Sequence, residues 1–224
     1  QLPLKWKKYH GELPDELACH QTVVYQQRVI RIGGTDVLIS SDVISELEVT
    51  PLVTVEKLCK MPEPRFSHGA EIFEDKVVIL GGEDNNCKVV NSVLKFDVKK
   101  NQCEEMPPLP HPLTKMANIR WRDQVIVLGG LDADGKALNN VFMYDCETGK
   151  TTALPSMLEK RCNCRAVITG NTIVVMGGQN EEQGWLKSVE CFIMGGYTWE
   201  YLPDMNKARS QPVAEVLPCR RKYV

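Results

Sequence analysis

Residues 130–137, with the sequence GLDADGKA, most resemble a ligand-binding loop. A phosphate-binding loop needs Ser or Thr after its lysine to hold magnesium, and a helix N-terminus to receive the phosphate. Here Ala137 follows the lysine and a strand-like apolar segment comes next, so we interpret the segment as a loop with an Asp-Gly turn. Asp132 and Asp134 suggest calcium, but Met143 stands where the loop-type calcium site requires a bidentate Glu.

Cysteine and histidine are the other residue types that could bind a ligand, in this case a metal ion. Cys162 and Cys164, together with Cys191, lack the paired CxxC-like spacing or the paired histidines of structural zinc sites. A step of 48 residues relates His20, His68, Met116 and Cys164. Because the residue type changes freely at this repeated position, packing is the better interpretation, and we expect no metal site.

Catalytic motifs are also missing from the sequence. It has no nucleophile elbow of the Gly-x-Ser-x-Gly type, and its paired carboxylates fall at turns, where solvated charge is the ordinary reading. We therefore expect a non-catalytic protein without a cofactor.

A short apolar strand that ends in two glycines positions all of these segments. The first glycine of each pair recurs at a step of 48 residues, and the full set is Gly33, Gly34, Gly81, Gly82, Gly129, Gly130, Gly177 and Gly178. A fixed period of this length indicates one supersecondary unit stacked on its neighbours. The glycines are expected to be structural, because they permit backbone conformations and close approaches that other residues do not.

Each period contains four short apolar or alternating segments bounded by Gly, Asn, Asp and Pro, which predict four antiparallel β-strands, named a to d. Four such strands per period of 40 to 50 residues describe the blades of a β-propeller. Residues 209–217 repeat the pattern of strand a, and residues 221–224 would start strand b. Residues 4–9 resemble strand d, so the two ends are expected to pair in a partial blade.

The series of strand, Gly-Gly, loop, Asn-x-Val-x-x-(Phe/Tyr)-Asp and Trp-x-x-Leu-Pro-x-Met followed by Arg resembles the kelch repeat. The motif is most complete at Trp199, Leu202, Pro203, Met205 and Arg209, and at Asn140, Tyr144 and Asp145. The resemblance implies one kelch-type propeller domain over residues 1–224, which we expect to be incomplete. Its blades would span about 17–61, 65–109, 113–157 and 161–205, and a partial blade would combine 209–224 with 4–9.

The resemblance also implies a role. Kelch proteins most often recognise substrates for a cullin-type ubiquitin ligase through a linked BTB domain, or serve as actin-associated scaffolds. Some kelch-like propellers are enzymes with a metal or sugar site at the central axis, but this sequence does not supply their ligands. We therefore expect a protein-protein interaction module.

Composition limits the partner and the compartment. A net charge of −2 and a pI near 6.1 do not give the basic footprint of a nucleic-acid-binding protein. No apolar run is long enough to span a bilayer. Nine cysteines without a repeated framework favour reduced thiols, and hence the cytoplasm.

Loops on a rigid scaffold usually carry the binding site. In each blade the long b–c loops and the Pro-rich d–a connections share one rim, called here the loop rim, and we expect a protein or peptide to bind there. Arg65, Arg161 and Arg209 share one repeat position on this rim, suited to an acidic peptide, although kelch repeats commonly carry this arginine as an internal structural partner. Trp185, in a b–c loop, is either an interface residue or packed on the neighbouring blade.

Overall fold

The computed structural model describes residues 16–36, 38–49 and 53–216. This part of the chain consists of β-strands, turns and loops, and it contains no helix long and apolar enough to cross a membrane. The predicted all-β class with four-stranded antiparallel blades is confirmed.

Four sheets follow one another along the chain, each with its strands in the spatial order a-b-c-d. Blade 1 contains β1 (Gln21–Tyr25), β2 (Arg28–Ile32), β3 (Val43–Val49) and β4 (Val53–Lys60). Blade 2 contains β5 (Gly69–Phe73), β6 (Lys76–Leu80), β7 (Val93–Asp97) and β8 (Gln102–Met106). Blade 3 contains β9 (Ala117–Trp121), β10 (Gln124–Leu128), β11 (Val141–Asp145) and β12 (Thr151–Leu154).

Blade 4 differs in its b–c loop. Strands β13 (Arg165–Thr169) and β14 (Thr172–Met176) are followed by a small hairpin of β15 (Gln179–Asn180) and β16 (Gly184–Trp185). Strands β17 (Val189–Ile193) and β18 (Glu200–Leu202) complete the blade. The hairpin was not predicted, because two-residue strands carry too little alternation to stand out from a loop.

Apolar residues between neighbouring blades form the core. Strand b is the most buried, and Val77, Ile79 and Leu80 of β6 have no exposed surface. Separate clusters fill the spaces between blades 1 and 2, blades 2 and 3, and blades 3 and 4. The innermost strands β1, β5, β9 and β13 lie side by side, so the blades are arranged around a common axis.

A chain of backbone hydrogen bonds links the blades near this axis. Ser67 donates to the carbonyl of Cys19, Lys115 to Ser67, Asn163 to Lys115 and Gln211 to Asn163, at 2.8–3.0 Å. All five residues adopt positive φ between 51° and 55°. Because each step is 48 residues, the contact between blades repeats with the sequence period.

The predicted partial blade is only partly described. Residues 209–216 lie in turns and irregular backbone rather than in the expected strand a. A strand needs a hydrogen-bonded neighbour, and the segments expected to provide one, residues 221–224 and 4–9, lie outside the described residues. The pairing of the two ends stays a prediction.

Candidate functional site

The double glycines make close contacts between blades. Gly81 and Gly82 have φ of +54° and +101°, and a Cβ on Gly81 would overlap the carbonyl oxygen of Leu113. A Cβ on Gly82 would lie 2.7 Å from the carbonyl oxygen of Phe66, while the Gly82 amide donates to Leu113 at 2.9 Å. The other three pairs show the same geometry. Their amide groups are therefore used within the scaffold.

Arg65 and Arg161 lie inside the protein and expose at most 1% of their surface. The guanidinium of Arg65 donates to the carbonyls of Gly81 and Ser92 and to the Ser92 hydroxyl. Each arginine thus ties the start of strand a to the b–c loop of its own blade. The pKa of Arg65 is lowered by burial, and Glu63 is the largest opposing influence. In this arrangement Arg65 does not present its charge at the surface, and a binding role for it stays a prediction.

Arg161 belongs to a larger buried network. It donates to the carbonyls of Gly177 and Ser188, as Arg65 does in blade 2, and it also pairs with the carboxylate of Glu190 at 2.5 Å. Glu190 in turn accepts the backbone amides of Leu158 and Glu159. Glu159 adds a second carboxylate, 3.4 Å from the Arg161 guanidinium. The charge of Arg161 is therefore balanced inside the blade, so Arg161 serves the scaffold in this state and its predicted contact with a ligand is untested.

Arg209 and Trp185 are exposed and lie together. They line one groove of about 710 Å³ whose other walls include Lys207, Pro212 and Val213. Trp185, in β16, exposes 66% of its surface, and Val213 exposes 92%. The structure therefore brings two of the predicted residues together in a groove that combines apolar surface with two cations.

A second cavity opens on the axis at the loop rim. It has a volume of about 450 Å³ and is lined by the first residues of the innermost strands and the segments before them. Lys115 and Arg165 supply positive charge, and Asn118 and Asn163 supply amides. Residues 211–213 border both this axial cavity and the Trp185 groove, so the two are neighbours.

The sequence matches the family described as the KLHDC2/KLHL20/DRC7 Kelch-repeats domain over residues 19–217, which is most of its length. The chain belongs to this kelch-repeat family. The predicted kelch propeller is thereby confirmed. No curated protein matched the chain.

Sequence reasoning missed Lys115 and Arg165 as functional candidates of the kelch domain. The signal was present in the repeat: Arg165 stands where the other blades have Gln21, Gly69 and Ala117. Lys115 likewise stands where the repeat otherwise has Cys19, Ser67, Asn163 and Gln211. Because the other copies of these positions carry no charge, the propeller scaffold does not require one there, and a single charged copy is a candidate for a binding role.

The charge of Lys115 is partly balanced. Its ammonium lies 3.1 Å from the carboxylate of Glu83, which also accepts the Thr114 hydroxyl. Arg165 is exposed at the start of β13. His68, which also borders the cavity, is buried, and burial lowers its pKa to about 3, with the charges of Arg65 and His20 acting in the same direction. His68 is therefore neutral at physiological pH, and the cations determine the charge of the cavity.

The position shared by His68, Met116 and Cys164 fills space between blades. The Cε of Met116 would lie 3.1 Å from a Cβ on Gly81 of the preceding blade, and His68 has the same relation to Gly33. In residues 16–36, 38–49 and 53–216, no group of three or more His, Cys, Asp or Glu side chains could hold a metal ion. The eight cysteines in these ranges are free thiols, and Cys219 lies outside them.

The loop at residues 130–137 forms a turn closed by Asp132. Its carboxylate accepts the backbone amides of Asp134 and Lys136, both at 2.9 Å. Strand β11 follows the loop, so the helix N-terminus that would receive a phosphate is replaced by a strand.

Proposed function

We propose that this kelch domain is a protein-interaction module that binds an acidic peptide segment of its partner across the loop rim. Kelch-repeat domains generally bind proteins, which supports the class of function. The observation that supports the site is that the basic axial cavity and the Trp185 groove lie next to each other, with residues 211–213 bordering both.

Charge favours an acidic ligand. Lys115 and Arg165 lie at the axial cavity, and Lys207 and Arg209 flank Trp185. Guanidinium and ammonium groups form charge-assisted hydrogen bonds with carboxylates, and Arg does so with bidentate geometry. Trp185 adds a large apolar surface of the kind that often dominates binding energy. The ligand we propose therefore combines acidic residues with an apolar side chain.

The resemblance to kelch proteins suggests the biological setting. We propose that the domain recognises substrates for a cullin-type ubiquitin ligase in a reducing compartment such as the cytoplasm. This step rests on fold-level analogy. It predicts that a partner bound at the loop rim is ubiquitinated in cells in a manner that depends on this domain.

Peptide selection tests the site. A random peptide library is selected on the kelch domain, and the enriched peptides are then measured against Lys115→Gln/Arg165→Gln. We expect enrichment in Asp and Glu and at least a tenfold loss of affinity in this variant, since each lost charge-assisted hydrogen bond costs about 1.5–3 kcal/mol.

The matched control is Arg122→Gln/Lys150→Gln, which removes the same charge from exposed turns at the opposite rim. Equal losses of peptide affinity in the two variants would show that net charge, and not the position of the cations at the axial cavity, determines binding. Selected peptides without acidic residues, or full binding to Lys115→Gln/Arg165→Gln, would contradict the proposal.

A further inference from the structure

Glu71 is a polar exception in an apolar repeat position. It lies on the innermost strand β5 and faces blade 3, where the equivalent residues of the other blades are Val23, Ile119 and Val167. A carboxylate is costly in such a place unless its surroundings are adapted to it.

The facing strand β9 is adapted to this carboxylate. Asn118 replaces the alanine found at Ala70 and Ala166, and its Nδ2 donates to Glu71 Oε1 at 2.8 Å and to the carbonyl of Ala70 at 3.0 Å. Arg120 stands where Ile72 and Ile168 are found in blades 2 and 4. Its guanidinium donates to the carbonyl of Ile72 at 3.1 Å and lies 5.0 Å from the centre of the Phe73 ring. The interface between blades 2 and 3 is therefore polar on both sides near the axis.

Asn118 connects this interface to the axial cavity. It lines the cavity together with Arg165, whose positive charge attracts the carboxylate of Glu71. Within the described part of the chain, the charged and titratable groups that face Glu71 are Arg120 from β9, Arg165 from β13 and the thiol of Cys146, which follows β11. An anion bound beside Arg165 would therefore make the electrostatic environment of the Glu71 carboxylate more negative.

We propose that binding of an acidic peptide in the axial cavity is coupled to the uptake of a proton by Glu71. The inference rests on the proposed function, because it needs an anionic ligand at Arg165. The ligand carboxylate pairs with Arg165 and adds negative charge close to Glu71, which then takes a proton from solvent and becomes neutral. By linkage, affinity for the ligand decreases as pH rises.

Compared with Cys146 and His68, Glu71 is the group whose protonation changes near neutral pH. Burial raises the pKa of Glu71 to about 7, against the opposing effect of its hydrogen bond with Asn118 and the charges of Arg165 and Arg120. The pKa of the Cys146 thiol is raised to about 11, chiefly by burial, and that of His68 is lowered to about 3. Between pH 6 and pH 8 neither of these two groups changes charge.

Calorimetry with hexaglutamate tests the coupling. The hexaglutamate is N-acetylated, because a free α-amino group titrates at about 7.7–8.0, and its glutamate side chains, with a pKa of about 4.3, stay ionised from pH 6 to pH 8. If binding raises the pKa of Glu71 by one unit, affinity falls about fivefold over this range, and about half a proton is taken up per binding event near pH 7.5. Titrations in two buffers with different ionisation enthalpies measure that uptake directly.

Two variants identify the group. Glu71→Gln keeps an oxygen for Asn118 and should bind hexaglutamate with neither proton uptake nor pH dependence. His20→Gln removes the remaining histidine at the cavity and should keep both. Carbon-13 NMR of the Glu71 carboxyl gives an independent measure, and its pKa should rise in Arg165→Gln.

The outcomes are distinguishable. Binding without proton uptake, or proton uptake that persists in Glu71→Gln, would overturn the coupling and leave the proposed function intact. A Glu71 pKa that does not change in Arg165→Gln would also overturn it. No binding of hexaglutamate at any pH would overturn both the coupling and the acidic ligand.

Discussion

Arg161 and Glu190 form an ion pair at 2.5 Å in which neither side chain is exposed to solvent. In blade 3 the same two positions hold Leu113 and Phe142, which belong to the apolar core. The kelch scaffold therefore accepts either an ion pair or an apolar pair at this point between strand a and strand c. The two blades therefore allow the effect of a buried ion pair on stability to be compared with that of an apolar pair in the same protein.

Substitution of Glu190 alone should be strongly destabilising. Glu190→Leu leaves the buried cation of Arg161 with only the longer contact to Glu159 at 3.4 Å, and breaking a buried pair typically costs about 3–5 kcal/mol of unfolding free energy. Arg161→Leu/Glu190→Phe, which places the two side chains of blade 3 here, should recover part of this loss, because the backbone amides of Leu158 and Glu159 still lose their acceptor. Urea denaturation of the parent and the variants gives the comparison, and a double variant no more stable than Glu190→Leu would count against this view.

The first glycine of each pair should not tolerate a side chain. Gly81→Ala forces the Leu113 carbonyl away, in addition to the strain of a positive φ. Gly135→Ala is the matched control, because Gly135 has φ of +74° and no atom within 4 Å of its Cβ position. We expect Gly81→Ala to reduce the unfolding free energy by at least about 2 kcal/mol more than the control. Equal losses would mean that the φ angle alone requires glycine.

The repeat explains why so much of the fold could be predicted from the sequence. Gly-Gly at a fixed step locates strand b, and the alternating segments around it locate the other strands. The direction of long side chains is not encoded in this way. Arg65 and Arg161 lie inside because their guanidinium groups donate hydrogen bonds to backbone carbonyls, those of Gly81 and Ser92 in blade 2 and of Gly177 and Ser188 in blade 4. These carbonyls are in place only after the b–c loop has folded.

The candidate site was harder to predict for a related reason. Trp185 and Arg209 could be proposed from sequence, because a large aromatic in a loop and an arginine at a repeated position are visible in one copy. The axial cavity is assembled from residues at or just before the start of four strands about 48 residues apart in sequence. Its charge becomes apparent only when the copies are compared position by position, which identifies Lys115 and Arg165.

Trp185 should contribute to binding but not to stability. Its side chain is 66% exposed, so Trp185→Ala removes little buried surface, whereas loss of a hot-spot aromatic reduces affinity by about 2 kcal/mol or more. Tyr197→Ala is the control, since Tyr197 is 90% exposed and lies in the c–d turn of the same blade, at the opposite rim. Affinity for the selected peptides and the melting temperature are measured for both variants. A fall in melting temperature with Trp185→Ala would show that Trp185 packs as part of the scaffold.

His68 should make the protein sensitive to acid. Burial is the main cause of its pKa of about 3, so below about pH 6.5 the unfolded chain binds a proton at this histidine and the folded protein does not. The contribution of His68 to stability is therefore complete above pH 6.5 and falls as pH decreases towards 3. His68→Met, which copies Met116, removes this term and also removes two ring nitrogens that have no hydrogen-bond partner among the described residues. Urea denaturation should show that the unfolding free energy falls less between pH 7 and pH 5 in this variant than in the parent protein. An equal fall in both would contradict the role of His68 in acid sensitivity.

Glu71 should have the opposite effect on stability. Its pKa is raised by burial to about 7 in the folded protein, against 4.5 in the unfolded chain, so the unfolded state loses its proton first as pH rises. The folded protein is therefore destabilised between pH 4.5 and pH 7, and the full cost, about 3 kcal/mol at most, persists above pH 7. Glu71→Gln should raise the unfolding free energy at pH 8 and change it little at pH 4.5. Because His68 changes stability in the same pH range with the reverse sign, the His68→Met/Glu71→Gln variant separates the two. If its stability still varied with pH as in Glu71→Gln alone, the acid sensitivity would belong to a group other than His68.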